Sequence, residues 1–356
     1  MTCYAAQSTA LAALAAIAAA SAAACQTAAL AEGPYRVLHR TVTGGDGGWD
    51  YVTVDGPGGR AYLSRGTHVM VVDLRGDSVM GDIPATPGVH GVALAPELAK
   101  GFTSNGRDSS VTVFDLRTLA TTGSIRGTGR NPDAILYDPA TRRVFTFNGG
   151  SASATAIDAA GNAIAGTVAL RGKPEAAVLD GAGHVWVNIE DKGEIEEFDA
   201  RTLQNLGHWA LEGCEEPTGL AIDRANGRLF SACGNGVMAV TSMAAHAVVA
   251  RVPIGDGADG AAFDPALHLA FATNGGDGTL SVIRQDGPDR YTLVQALPTQ
   301  RGARTIALDP ATHHVYTVTA EFGPPPAATA ENPRPRRPVL PGTFVLITAG
   351  PAESGR

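Results

Sequence analysis

Seven positions of this 356-residue chain follow one another at intervals of 40 to 45 residues: Asp50, His90, Asp133, Glu175, Thr218, Asp259 and Arg304. Six of the seven are ionisable, a bias that a random strand start would not produce. Brought to a common point, His90, Asp133 and Glu175, with Asp50, would offer one imidazole nitrogen and several carboxylate oxygens. That donor set suits a divalent metal such as Ca²⁺, Mn²⁺ or Zn²⁺. Without a metal, the same ring would bind a polar or cationic small ligand or a peptide. Crowded acids would raise some of their own pKa values, and His90 and Arg304 would partly compensate. The plainest alternative is that the acids accept backbone hydrogen bonds at strand heads and do no chemistry. Trp49, next to Asp50, either stacks on a ligand ring or fills space between structural units.

Such residues meet only if the chain brings its repeats around one axis. Gly129 to Asp158 shows the unit: a polar Gly-Arg-Asn-Pro-Asp start, an apolar run, Asp-Pro, a second run, Asn-Gly-Gly, a third run and a closing Asp. This reads as strand, turn, strand, Gly-rich loop, strand. The acid after the first strand recurs at Asp55, Asp138, Asp180, Asp223, Asp264 and Asp309, with Ala95 in the second slot. A second acid keeps the same phase at Asp73, Asp115, Asp158 and Asp199, and becomes Thr241 in the fifth repeat. A period near 40 residues with about four short strands marks a β-propeller blade. Seven slots therefore predict an all-β, seven-bladed propeller. Tyr35 to Val42 alternates like an edge strand ahead of the first blade, and the last blade holds only three strands. The N-terminal strand is expected to complete blade seven and close the ring.

In such a ring the head of each first strand and the loop between its second and third strands share one face. Arg65, His68, Asn105, Arg107, Asp108, Asn148, Asn188, Glu190, Asp191, Asn235, Asn274, Asp277 and Glu321 form a second tier there. The Asn-Gly pairs are expected first as turn formers, since both residues tolerate positive φ.

Residues 1–31 carry no Lys, Arg, Asp or Glu and include an Ala-rich apolar run with small-residue cleavage sites. They read as an export signal without its usual basic start. A periplasmic or secreted protein is expected. Cys25 follows Ala22-Ala23-Ala24 and is a lipoprotein acceptor candidate, although Ala22 stands where Leu is usual; lipidation there is the one expected route to a membrane. Cleavage after Ala31 leaves Cys214 and Cys233, which the blade-five hairpin should bring together as a disulfide. The expected organisation is an export signal at 1–31, a propeller at 32–349 and a tail at 350–356. A Pro-rich insertion at 323–341 carries Arg334, Arg336 and Arg337, and reads as a solvated loop or as a docking arm.

The runs Val315-Tyr316-Thr317-Val318-Thr319, Ala61-Tyr62-Leu63-Ser64 and Arg143-Val144-Phe145-Thr146-Phe147-Asn148 resemble the YVTN repeat, and the Asp-Pro turns and blade heads match it as well. Over residues 35–348 the chain resembles the exported bacterial YVTN/YncE-like β-propeller family. The resemblance implies a seven-bladed, secreted or periplasmic propeller of a family whose members mostly lack an assigned reaction, some being linked to binding roles, and it carries over no catalytic motif.

A formal charge of -8 argues against broad attraction to nucleic acid or anionic membranes. P-loop, HExxH, GxSxG and haem-attachment motifs are absent. The reading is an exported binding or interaction protein whose channel mouth takes a small polar ligand, a metal or a peptide partner. The alternative is a metal-assisted hydrolase or lyase acting on a lactone-like molecule, by analogy with other propellers.

Overall fold

A computed structural model describes residues 32–329, 332 and 335–352. Residues 1–31, expected to be an export signal and including Cys25, lie outside the described residues, as do Arg334 and most of the 350–356 tail. Seven four-stranded antiparallel sheets make seven blades. Their inner strands are Val52–Asp55, Val89–Ala95, Pro132–Asp138, Pro174–Leu179, Pro217–Asp223, Ala258–Asp264 and Ala307–Asp309. The seventh sheet takes its outer strand, Tyr35–Val42, from the N-terminal side. It pairs with Val345–Pro351 from Tyr35 opposite Pro351 to Val42 opposite Val345, and so closes the ring. The last strand thus runs two residues past the expected boundary at 349.

The second strands explain why blades stack. Val144 to Asn148 is buried on both faces, as sheets sandwiched between neighbours require. Each apolar layer is shared by two adjacent blades. Phe145 meets Phe198 between blades three and four, with ring centroids 5.7 Å apart. Tyr62 meets Phe114 between blades one and two at 5.9 Å. Tyr35 meets Phe271 at 4.9 Å, so the closing strand also seals blade seven against blade six.

The periodic acids are turn formers. Asp138, Asp223, Asp264 and Asp309 each accept the amide two residues on, the Asx geometry that starts a tight turn. Asp115, Asp158 and Asp199 do the same on the third strands. Where Ala95 stands, a short 3₁₀ turn at Pro96–Leu98 with left-handed Ala99 reverses the chain instead. The fifth-blade counterpart of the second acid is Ser242, not Thr241. Ser242 pairs with Arg228 as Asp158 pairs with Arg143, and its hydroxyl accepts the Ala245 amide. Cys214 and Cys233 form the expected disulfide, with Cα atoms 5.4 Å apart.

Three of the four Asn-Gly pairs depart from expectation, while Asn235-Gly236 lies in a turn with Gly236 at φ +74°. Asn105, Asn148 and Asn274 lie in ordinary strand backbone rather than at positive φ, and they are fully buried. Each donates its amide to two hydroxyls of the third strand: Ser110 and Thr112, Ser153 and Thr155, Thr279 and Ser281. They tie strands together, and the left-handed turn residues are Ser109, Ala152 and Gly278.

Candidate ligand site at the channel mouth

The inner strands of blades two to six open with a slip in register. Paired residues jump from Val89 to Val92, Pro132 to Ile135, Pro174 to Ala177, Pro217 to Leu220 and Ala258 to Gly260. His90, Asp133, Glu175, Thr218 and Asp259 fall inside those slips. A bulge releases a residue from the ladder and re-aims its side chain. Asp50 and Arg304 precede the first strand residues of blades one and seven. All seven sequence-predicted positions therefore sit at equivalent places around one mouth.

Their backbone is clamped from the blade before. The carbonyl of Asp133 accepts the Ser104 hydroxyl, that of Thr218 the Asn188 amide, that of Arg304 the Thr273 hydroxyl and that of Asp50 the Thr305 hydroxyl. The His90 carbonyl accepts the Tyr51 amide. Sequence reading missed these clamps. Their signal is a small polar residue one place before the end of the second strand, seen at Ser104, Asn188 and Thr273.

The side chains form an arc of alternating charge over five consecutive blades. Asp133 Oδ1 lies 3.6 Å from His90 Nδ1, and the same nitrogen lies 2.7 Å from Asp50 Oδ2. Asp50 Oδ1 is 3.4 Å from an Arg304 nitrogen, whose other nitrogen is 3.0 Å from Asp259 Oδ2. Gly106 makes room for the imidazole, since a Cβ there would meet His90 Nε2 at 2.5 Å. Asp50, His90 and Asp133 present donor atoms all within 4.8 Å of one another. Glu175 has a different neighbour: its carboxylate accepts from Lys173 Nζ at 2.7 Å, and Lys173 also binds Glu190. Thr218 leaves the arc open at blade five, its hydroxyl bonded to backbone carbonyls.

The electrostatics are those of a crowded, partly desolvated set of acids. Burial, reinforced by the Asp50 charge, pushes Asp133 up to about 6 against the pull of His90. Burial and Asp133 push Glu175 up to about 8, although Lys173 pulls the other way. Asp259 is raised by burial despite Arg304. His90 is held above the usual imidazole value: burial opposes its charge, but the Asp50 hydrogen bond and the Asp133 carboxylate outweigh it. Its Nδ1 therefore carries a proton that it donates to Asp50, with the Asp133 charge beside it. Tyr51 sits below the ring, its phenol raised by burial and then by Asp133, Glu175, Asp50 and Asp259. It lines a cavity of about 180 Å³ to which every blade contributes, including Gly91, Ala134, Ala176, Gly219 and Thr305.

Trp49 packs its ring against Phe344 and Phe322, with centroids 5.5 and 5.8 Å away, so it fills the seam between blades one and seven. Arg65 is buried against the Phe344 ring and donates to the carbonyls of Gly44, Asp46 and Gly48. It thereby fixes the Gly-rich loop that delivers Trp49 and Asp50. In the second tier, Glu190 and Asp191 meet Lys173, by side chain and by backbone amide respectively. Asp277 accepts the Asp256 amide and Asn235 the Glu215 amide.

No protein-family model matches the chain, and no curated protein does. Solved structures share its fold. Kuenenia stuttgartiensis hydrazine synthase is similar at a TM-score of 0.69 and 16% identity, over 76% of this chain and 92% of that one. The structure of U3-55K is similar at a TM-score of 0.72 and 10% identity, over 88% of this chain and 99% of the other. The WD40 repeats of RRP9 are similar at 0.72 and 10%, over 90% and 99%. At these identities the likeness shows a β-propeller and nothing finer.

Proposed function

We propose that this propeller is an exported binding protein whose channel mouth takes a small polar ligand bearing positive charge, or a divalent metal, on Asp50, His90 and Asp133, with Glu175 beside them. One observation carries the reading. Asp133 and Glu175, on adjacent blades, are both held above the usual carboxylate range, Asp133 by burial and the Asp50 charge, Glu175 by burial and the Asp133 charge. A cation placed there would relieve the repulsion and displace the proton held at His90 Nδ1. The cations beside them, His90 and Lys173, do not offset burial and crowding, so both acids stay raised. The resemblance to the YVTN/YncE-like family, the apolar N-terminal segment and the disulfide support export to the periplasm or beyond.

The test is a calorimetric titration at pH 7.5 with Zn²⁺, Mn²⁺ and, as an organic dication, putrescine. At least one should bind with a single site, with proton release, and Asp133→Asn should weaken it at least tenfold (about 1.4 kcal/mol). Absence of binding by all three, or equal binding by the variant, overturns the proposal.

The hydrolase or lyase reading draws on the same convergence of Asp50, His90 and Asp133. A metal there would polarise a carbonyl or activate water, and Glu175, protonated near neutrality, would serve as proton donor. It requires metal-dependent opening of a lactone that His90→Ala abolishes.

A further inference from the structure

Beside the acidic arc lies a pocket of opposite character. The two ends of the Pro-rich insertion pair as a short ribbon: Phe322 bridges Val339, and Gly323 and Leu340 donate to Pro338 and Glu321. This hairpin carries Arg336 and Arg337 to the rim of a cavity of about 480 Å³, whose other walls include Trp49, Phe322, Arg301 and Arg304. The volume lies within the range of small-molecule sites.

Three features assign its chemistry. Four arginines line it, on a protein of net charge -8. Arg304 is already matched by Asp50 and Asp259. Arg301, Arg336 and Arg337 have no ion-pair partner among the described residues and are exposed. Their charges therefore remain available, and guanidinium is the side chain best shaped to take a planar carboxylate by two parallel hydrogen bonds. The wall between them is aromatic and apolar: the Trp49 and Phe322 rings, 5.8 Å apart, with Val339. The Trp49 indole nitrogen is buried with no hydrogen-bond partner. Gly302, at φ +84°, keeps the floor open beneath Phe322, since a Cβ there would meet the ring at 2.8 Å.

We infer that this pocket binds a small organic anion, a carboxylate carried on a planar apolar body, with Arg336 and Arg337 reaching the carboxylate and Trp49 and Phe322 holding the body. The site is separate from the acidic arc, although Arg304 and Trp49 border both. The insertion thus supplies a binding wall rather than a mere surface loop.

The probe is 2-naphthoate, with uncharged 2-naphthamide as its control, followed by calorimetry and fluorescence. Wild-type protein should bind naphthoate at least about tenfold more tightly than naphthamide, and more weakly as salt rises. Arg336→Ala/Arg337→Ala, on an exposed hairpin whose loss should leave the unfolding midpoint unchanged, should lower naphthoate affinity at least about tenfold and leave naphthamide unaffected. Arg301→Ala should weaken naphthoate by a smaller factor, and Asp133→Asn should leave it unchanged. Equal affinity for the acid and the amide, or an Arg336→Ala/Arg337→Ala variant that binds naphthoate like wild type, overturns the inference.

Discussion

The two ends of an inner strand use the same residue type to opposite effect. At one end stands Asp223, at the other the ring position held by Asp133 in blade three. Both carboxyls are largely buried, yet Asp223 is held below the usual carboxylate range and Asp133 well above it. Burial raises both. At Asp223 it is outweighed by the side chains of Asn226 and Gln285 and by the amides of Asn226 and Ala225. At Asp133 burial and the Asp50 charge, from another blade, outweigh the pull of His90 and Lys173. An acid supplied with donors by its own turn is structural, and one whose surroundings come from other blades is open to a ligand.

Substitutions can break or sharpen that contrast. The largest expected loss comes from opening the Cys214–Cys233 link, which spans 19 residues. The Cys214→Ser/Cys233→Ser protein should lose about 3 kcal/mol in urea unfolding, with cation binding intact because blade five contributes only Thr218 to the mouth. Next, Asp223→Ala removes the acceptor for four donors and should cost about 2 kcal/mol. Because its folded pKa is depressed, that contribution exists above the ordinary carboxylate value and fades as pH falls through the folded one. Wild type and variant should converge in acid, again without change at the mouth. A third effect has the opposite sign. Glu175 holds its proton more tightly folded than unfolded, so native stability should fall as pH rises from about 4.5 to about 8. Glu175→Gln should flatten that decline, read by urea unfolding at pH 5 and pH 8. A steeper decline would show that the Lys173 pairing outweighs the repulsion from Asp133.

The features legible in the sequence were those written in local pattern. The period located each turn acid, because an Asx turn is made within four residues. The same phase located the seven mouth positions, and the count of strands in the last repeat located the closing strand. The single slip in phase, Thr241 for Ser242, came from expecting an acid where a serine hydroxyl does the same work. What escaped notice depends on contacts between blades. The register slips that turn the mouth residues inward leave no mark in residue type. Neither does the choice of Glu175 to meet Lys173 while His90 is shared by Asp50 and Asp133. The buried role of Asn105, Asn148 and Asn274 was hidden because Asn-Gly is also the commonest spelling of a hairpin turn.

The pairing of Tyr35–Val42 with Val345–Pro351 also sets when the site can exist. Arg304 reaches Asp50 across the seam that this pairing closes, and Thr305 holds the Asp50 carbonyl from the same side. A nascent chain with six blades formed still lacks the neighbour that positions Asp50, and the most distant contacts in sequence are the slowest to form. The mouth is therefore assembled last. Occupancy of the site would mark a finished ring, and a ligand that binds only the finished ring would protect it from reopening.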